Sequence, residues 1–80
     1  MIRTYIVQAK YDSEASVWVA TSEDIPGLVT EADTMENLMK KLDCVIPDIL
    51  EASGELEDAS NVPFELVARA SAIAHYRKVA

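Results

Sequence analysis

The stretch PGLVTEADTMENLMKKL, residues 26–42, contains the point at which the chain changes from strand to helix. Pro26-Gly27 is typical of a β-turn, because proline presets φ at the second turn position and glycine accepts a positive φ at the third. Residues 28–31 then predict a short strand. From Thr34 onward the apolar residues recur every three or four positions, which indicates an amphipathic helix.

Both ends of this helix carry recognisable signals. Thr34 is a favourable N-cap, and Glu36 lies in the first turn, where the helix dipole stabilises an acid. Ser53-Gly54 predicts the end, because glycine adopts the left-handed conformation found just past a helix. The apolar stripe between the two signals consists of Met35, Leu38, Met39, Leu42, Val45, Ile46, Ile49 and Leu50.

Pro47 lies inside the predicted helix. Its ring clashes with the carbonyl of Asp43, and it has no N–H to donate. Because the apolar stripe continues on both sides, we expect a kink at Pro47 and not the end of the helix.

Two strands precede the Pro-Gly turn. Residues 3–11 alternate, with Tyr5, Val7, Ala9 and Tyr11 on one side, and residues 16–21 form a similar β-branched and aromatic run. The polar residues 12–15 between them predict a hairpin. Trp18 and Val29 are expected on one face of the sheet, and Val17, Val19 and Leu28 on the other.

Residues 63–70 predict a fourth strand, and an extension of that strand to residue 76 is left open. A helix over residues 65–76 is the alternative. The acidic residues 55–62 have no periodicity and predict a loop. The element order is therefore β-β-β-α-β, a single α+β domain over residues 1–80. If strand four is parallel to strand one, the sheet order is 3-2-1-4, with the helix on one face and the other face open.

The composition suits one small core, since half of the 80 residues are hydrophobic. Cys44 is the only cysteine and His75 the only histidine, which excludes an internal disulfide and a structural zinc site of nitrogen and sulfur ligands. Small domains without these supports commonly associate, so a homodimer is expected. With no export signal and no apolar run long enough to span a membrane, the expected location is the cytoplasm.

The charge is uneven along the chain. The net charge is −7, from fourteen acids and seven bases. All fourteen acids lie in residues 11–65, whereas only two of the bases, Lys40 and Lys41, lie there. Nucleic-acid binding requires a basic face, so direct binding of nucleic acid is not expected. An acidic surface attracts basic proteins, although solubility alone also accounts for it.

No group of residues predicts catalysis, a cofactor site or a metal site. Cys44 has no histidine near it in the sequence to act as a base, because the only one is His75 close to the C-terminus, and we expect Cys44 to fill space beside the helix stripe. His75 is expected to be an exposed tail residue. The acid pairs lack the central glycine and terminal glutamate of a calcium loop, so the chain is not expected to be an enzyme.

Residues 17–38, VWVATSEDIPGLVTEADTMENL, resemble the HicB-like antitoxin family. The resemblance rests on the Ile25-Pro26-Gly27 turn and the Asp33-Thr34 helix cap, which are as far apart in the sequence as in the family's pattern. It covers roughly residues 3–53. It implies a partial ribonuclease-H-like fold without the catalytic acids. It also implies binding and neutralisation of a small basic messenger-RNA-cleaving toxin, HicA-like, in bacteria and archaea. The C-terminal DNA-binding segment of many members is not expected here.

The resemblance directs attention to acids in predicted turns as the docking surface for such a toxin. Trp18 lies between these turns in the sequence, and tryptophan is common both at interface hot spots and in cores. The alternative is a stand-alone domain that binds another protein or a small ligand on its open sheet face. The predicted docking residues are Asp12, Glu14, Trp18, Glu23, Asp24, Glu55, Glu57 and Asp58.

Overall fold

The structure is a computed structural model that describes residues 3–55 and 61–78. Its elements are β1 (Tyr5–Asp12), β2 (Val17–Thr21), β3 (Val29–Ala32), α1 (Met35–Ala52) and β4 (Phe64–Arg69). The predicted β-β-β-α-β order and α+β class are confirmed. The last element is the predicted strand and not the alternative helix; it ends at Arg69, without the extension to residue 76.

The four strands form one mixed sheet in the order β3-β2-β1-β4, as predicted. β1 pairs antiparallel with β2 and parallel with β4, and β2 pairs antiparallel with β3. A parallel neighbour requires a crossover connection, and α1 lies within that connection. β3 and β4 are the two edge strands.

One face of the sheet packs against α1. The register places Ala9 opposite Ala20 and Tyr11 opposite Trp18, so these residues share the face that also carries the buried Val7. Helix residues four positions apart supply the other side of the core, because such residues lie on one helical face. The buried core consists of Val7, Ala9, Ala20, Ile25, Leu28, Ala32, Leu38, Leu42, Ile46 and Leu50.

The predicted faces of Leu28 and Val29 were wrong. β3 begins at Val29, which pairs with Thr21 on the open face and is 71% exposed, whereas Leu28 precedes the strand and is buried. Val29 therefore lies with Val17 and Val19, and not with Trp18. The Pro-Gly turn ends one residue later than expected, so β3 begins at Val29 and not at Leu28. Because successive strand residues point to opposite faces, a shift of one residue reverses the face of every side chain.

The predicted ends of α1 are confirmed. The Thr34 side chain accepts a hydrogen bond from the Asn37 N–H at 3.0 Å, and Ser53 is the C-cap. Gly54 follows with φ +79°, the left-handed conformation. The Asn37 amide also donates to Asp33 Oδ1 at 2.9 Å, and this hydrogen bond lowers the pKa of Asp33.

The helix continues through Pro47, as the apolar stripe predicts. Leu42 and Ile46 before the proline and Leu50 after it are all buried. The bend at Pro47 stays a prediction. Cys44 was expected to fill space beside the stripe, but it is exposed, because its position on the helix points away from the sheet.

Residues 70–78 follow β4 without regular secondary structure and are exposed throughout. Ile73 is 81% and Tyr76 91% exposed, and His75 is exposed as predicted. The molecule is 65 Å long, although an 18-residue helix spans only about 27 Å. The C-terminal tail therefore extends beyond the packed domain. Within the described ranges, no helix has the length and apolar content that a membrane crossing requires.

Candidate protein-binding surface

The predicted docking acids lie in two groups at opposite ends of the sheet. Asp12 and Glu14 belong to the β1–β2 connection, which we call the hairpin end. Glu23 and Asp24 follow β2, and Asp24 contacts Ile6 near the start of β1. Ile6 and Asp12 are six positions apart along an extended strand, a distance of about 20 Å. We call the region of Glu23 and Asp24 the distal end.

Glu55 belongs to the distal end. β3 finishes at the hairpin end, because Ala32 pairs with Trp18, and α1 then returns along the sheet for 18 residues. Glu55 follows the helix, and its carboxylate lies 3.4 Å from Ser53 Oγ. The other two predicted docking acids, Glu57 and Asp58, lie outside the described residues.

Asp24 has a structural contact that its position in the sequence does not reveal. The Ile6 N–H donates to Asp24 Oδ2 at 2.8 Å, and the Arg3 guanidinium lies 3.3 Å from Oδ1. Ser22 Oγ donates to the Ile6 carbonyl. The β1–β2 ladder ends at the Gln8–Thr21 pair, so two side chains satisfy the next backbone groups of β1. Asp24 thus stabilises the distal end of the sheet.

The Pro-Gly turn anchors the same region to the core. Leu28 N–H donates to the Ile25 carbonyl at 3.1 Å, and Gly27 has φ +88°. Ile25 is fully buried and Leu28 nearly so. The tight turn at Pro26-Gly27 therefore has one core residue on each side, Ile25 before it and Leu28 after it.

We expect Asp24→Ala to lower the free energy of unfolding by about 1–2 kcal/mol, because a charge-assisted hydrogen bond to the Ile6 N–H is lost. Glu23→Ala is the matched control, since Glu23 is an adjacent exposed acid, and its effect should stay within about 0.5 kcal/mol. Urea unfolding of both variants measures the difference. Equal losses would show that Asp24 has no special role.

At the hairpin end, Asp12 organises the loop. Its Oδ1 accepts hydrogen bonds from the N–H groups of Glu14 at 3.0 Å and Ala15 at 3.3 Å. Ser16 completes the loop with φ +56°, in the left-handed region. The Glu14 side chain is exposed beside this ordered loop.

An aromatic pair adjoins these acids. The Tyr11 and Trp18 rings meet edge to face, with centroids 5.2 Å apart and an interplanar angle of 61°. Trp18 is half-buried and packs against the core, while Tyr11 is 39% exposed. The pair therefore connects the core to the surface at the hairpin end. Tyr11 was not predicted as a docking residue, because its proximity to Trp18 depends on the strand register.

Two grooves flank the hairpin end. One, of about 500 Å³, is lined by residues 10–14 together with Val19 and Thr21. The other, of similar volume, lies beside the start of α1 and includes Glu31, Lys40 and Lys41. Both lysines have partners: Lys40 lies 3.6 Å from the Glu36 carboxylate, and Lys41 donates to the Glu31 carbonyl.

Across residues 3–55 and 61–78, no three histidine, cysteine or acidic side chains are grouped closely enough to hold a metal ion. The arrangement at the hairpin end consists of an aromatic pair, an ordered loop and exposed acids. These groups can pack against and attract a protein surface.

Comparison with known proteins finds a family and a similar solved structure. A crystal structure of the hypothetical protein TTHA1013 from the extremely thermophilic bacterium Thermus thermophilus is similar, with 44% sequence identity and a TM-score of 0.69. The alignment covers 92% of this chain and 100% of that one. Curated proteins yield no significant match. The family model described as domain of unknown function DUF1902 matches residues 4–77, and the chain belongs to that family.

Proposed function

We propose that this chain is a non-catalytic, HicB-like antitoxin that binds and neutralises a small basic HicA-like toxin in the cytoplasm. The observation that carries the proposal is the partly exposed Tyr11–Trp18 pair next to the acidic hairpin. The resemblance of residues 17–38 to HicB-like antitoxins supports the identity of the partner. The lone cysteine supports a reducing compartment, since small exported domains commonly carry disulfides.

The hairpin end has the composition of an interface centre with a charged rim. Aromatic side chains dominate binding energy when they fill pockets on a partner, and surrounding polar groups contribute orientation and rate. Tyr11 can supply such contact area, and Trp18 holds it in place from the core side. Glu14 beside them attracts basic side chains.

The distal acids have a different role in this proposal. Exposed charge pairs each contribute only about 0–1 kcal/mol, but their summed field accelerates the encounter with a basic partner. Glu23 and Glu55 are exposed and lie away from the aromatic pair. They should therefore act on the association rate and its salt dependence, with little effect on dissociation.

The direct test is a search for a small basic protein encoded beside this gene, followed by co-expression, co-purification and an RNA-cleavage assay with that protein. The unaltered chain should co-purify with that protein and suppress cleavage. Tyr11→Ala combined with Glu14→Lys should weaken binding at least tenfold, mainly through faster dissociation.

Glu23→Lys combined with Glu55→Lys is the matched control at the distal end, and it should mainly slow association. A larger loss of affinity from the distal pair would place the contact there instead. Absence of a basic neighbouring protein, or cleavage unaffected by this chain, would contradict the toxin proposal.

A second candidate function is binding of another protein or a small ligand on the open sheet face. This face carries the exposed Val29 and Val67 and the partly exposed Ile6. A groove of about 370 Å³ also lies there, lined by Gln8, Lys10, Thr21, Val67 and Arg69 together with Ala9. If the open sheet face is the binding site, Val29→Lys should abolish binding of its ligand. If the hairpin end binds a toxin, Val29→Lys should leave toxin binding unchanged.

A further inference from the structure

β4 has one edge with no partner among the described residues. The Tyr5 N–H donates to the Pro63 carbonyl at 3.1 Å, so the backbone groups of residue 63 point towards β1. Backbone groups of successive strand residues point to opposite edges. The N–H and C=O groups of Phe64, Leu66 and Ala68 therefore point away from β1. Such a row of unpaired groups is a template for another strand.

The sequence of β4 is complementary to itself in one antiparallel register. Glu65, Val67 and Arg69 share the open face, with the acid and the base at equal distances on either side of Val67. When two copies pair around Val67, each Glu65 lies opposite the second copy's Arg69. The two Val67 side chains lie opposite each other, and Leu66 lies opposite the second copy's Ala68.

Neighbouring registers lose this match. Pairing centred on Glu65 sets two carboxylates opposite each other, which is destabilising. Pairing centred on Leu66 or on Ala68 leaves neither Glu65 nor Arg69 with an opposite charge directly across the strands, and keeps only a more distant diagonal pair. The register centred on Val67 also makes Leu66 and Ala68 a hydrogen-bonded pair, since both direct their backbone groups outward. Glu65 and Arg69 then form non-hydrogen-bonded pairs, in which side chains are closest.

We propose that a second copy of this chain occupies the free edge of β4, antiparallel and centred on Val67, about a two-fold axis. The two four-stranded sheets join into one continuous sheet of eight strands with both helices on the same face. Val67, 43% exposed in the single chain, becomes covered by its symmetry mate. The start of the C-terminal tail gains a neighbour, because Ala70 lies opposite the second copy's Phe64. This interface is independent of toxin binding.

The first test is the oligomeric mass of the full chain with exchanged charges. Sedimentation equilibrium at micromolar concentration should give twice the 8.8 kDa chain mass. Arg69→Glu should weaken dimerisation at least tenfold, because it places two carboxylates opposite each other at both ends of the pair. The exchange Glu65→Arg with Arg69→Glu should restore the dimer. A monomeric parent chain, or a double variant no better than the single one, would overturn the proposal.

The second test fixes the register by cross-linking. In a Cys44→Ser background, Val67→Cys should form an intermolecular disulfide on mild oxidation, because the two Cα atoms lie about 4.5 Å apart in a non-hydrogen-bonded pair. Glu65→Cys is the matched control, since its two copies lie four residues apart along the strands, about 13 Å, beyond disulfide reach. Cross-linking through residue 65, or none through residue 67, would overturn the register.

Discussion

Leu42→Ala should lower the free energy of unfolding by about 2–5 kcal/mol. Leu42 is fully buried and lies in the helical row with Leu38 and Ile46, between α1 and the sheet. Its truncation removes apolar contacts and leaves a cavity that close-packed neighbours fill only in part. An 80-residue domain has a total stability of about 4–12 kcal/mol, so this single change removes a large share of it.

Met39→Ala is the control for this prediction, because Met39 lies on the same helix and is 39% exposed. It should cost less than about 1 kcal/mol, since much of the side chain already contacts water. Chemical unfolding of both variants, followed by circular dichroism, gives the two values. Similar losses would mean that the stripe on α1 does not form the core described above.

Trp18→Ala should lower the free energy of unfolding by about 2–4 kcal/mol, somewhat less than the ~3–5 kcal/mol typical of a fully buried aromatic residue. Trp18 is half-buried, packs against the core and holds the Tyr11 ring edge to face. The loss therefore combines apolar contact with an aromatic pair, and the latter contributes about 0.5–1.5 kcal/mol. Thermal and urea unfolding measure this cost.

The same variant also tests the proposed interface. Trp18→Ala should weaken toxin binding by removing the support of Tyr11, even at temperatures where the variant remains folded. Trp18→Phe is the conservative control, because it keeps an aromatic ring against Tyr11 and should retain most of the stability and affinity. Unchanged affinity in Trp18→Ala, with Tyr11→Ala also unchanged, would exclude the hairpin end as the binding surface.

The element order could be predicted from sequence because its signals are local. The helix stripe, the Thr34 cap and the Ser53-Gly54 end each act within a few residues, and all three appear where expected. The alternation of residues 3–11 and the short run before the Pro-Gly turn predict the hairpin. The sheet order 3-2-1-4 was expected only if β4 lies parallel to β1, and the structure shows that parallel pairing.

Local patterns could not assign every face. The predicted faces of Leu28 and Val29 depended on where β3 begins, and an error of one residue reversed them. Cys44 looked suitable for packing, but its angular position on α1 leaves it exposed. The face of a strand residue and the exposure of a helix residue depend on how that strand or helix packs against the rest of the sheet. The sequence of one element alone does not specify this packing.

For the candidate site, the sequence by itself determined an excess of acids in turns, a single tryptophan and a Pro-Gly turn. Only the tertiary structure decided how these groups are arranged, because strand pairing joins residues that are distant in the chain. It brings Tyr11 to Trp18 and joins Asp24 to Ile6, 18 positions away, and it separates the acids into two ends. Side-chain contacts of this kind depend on register and on the path of the connecting loops, which act over the whole domain.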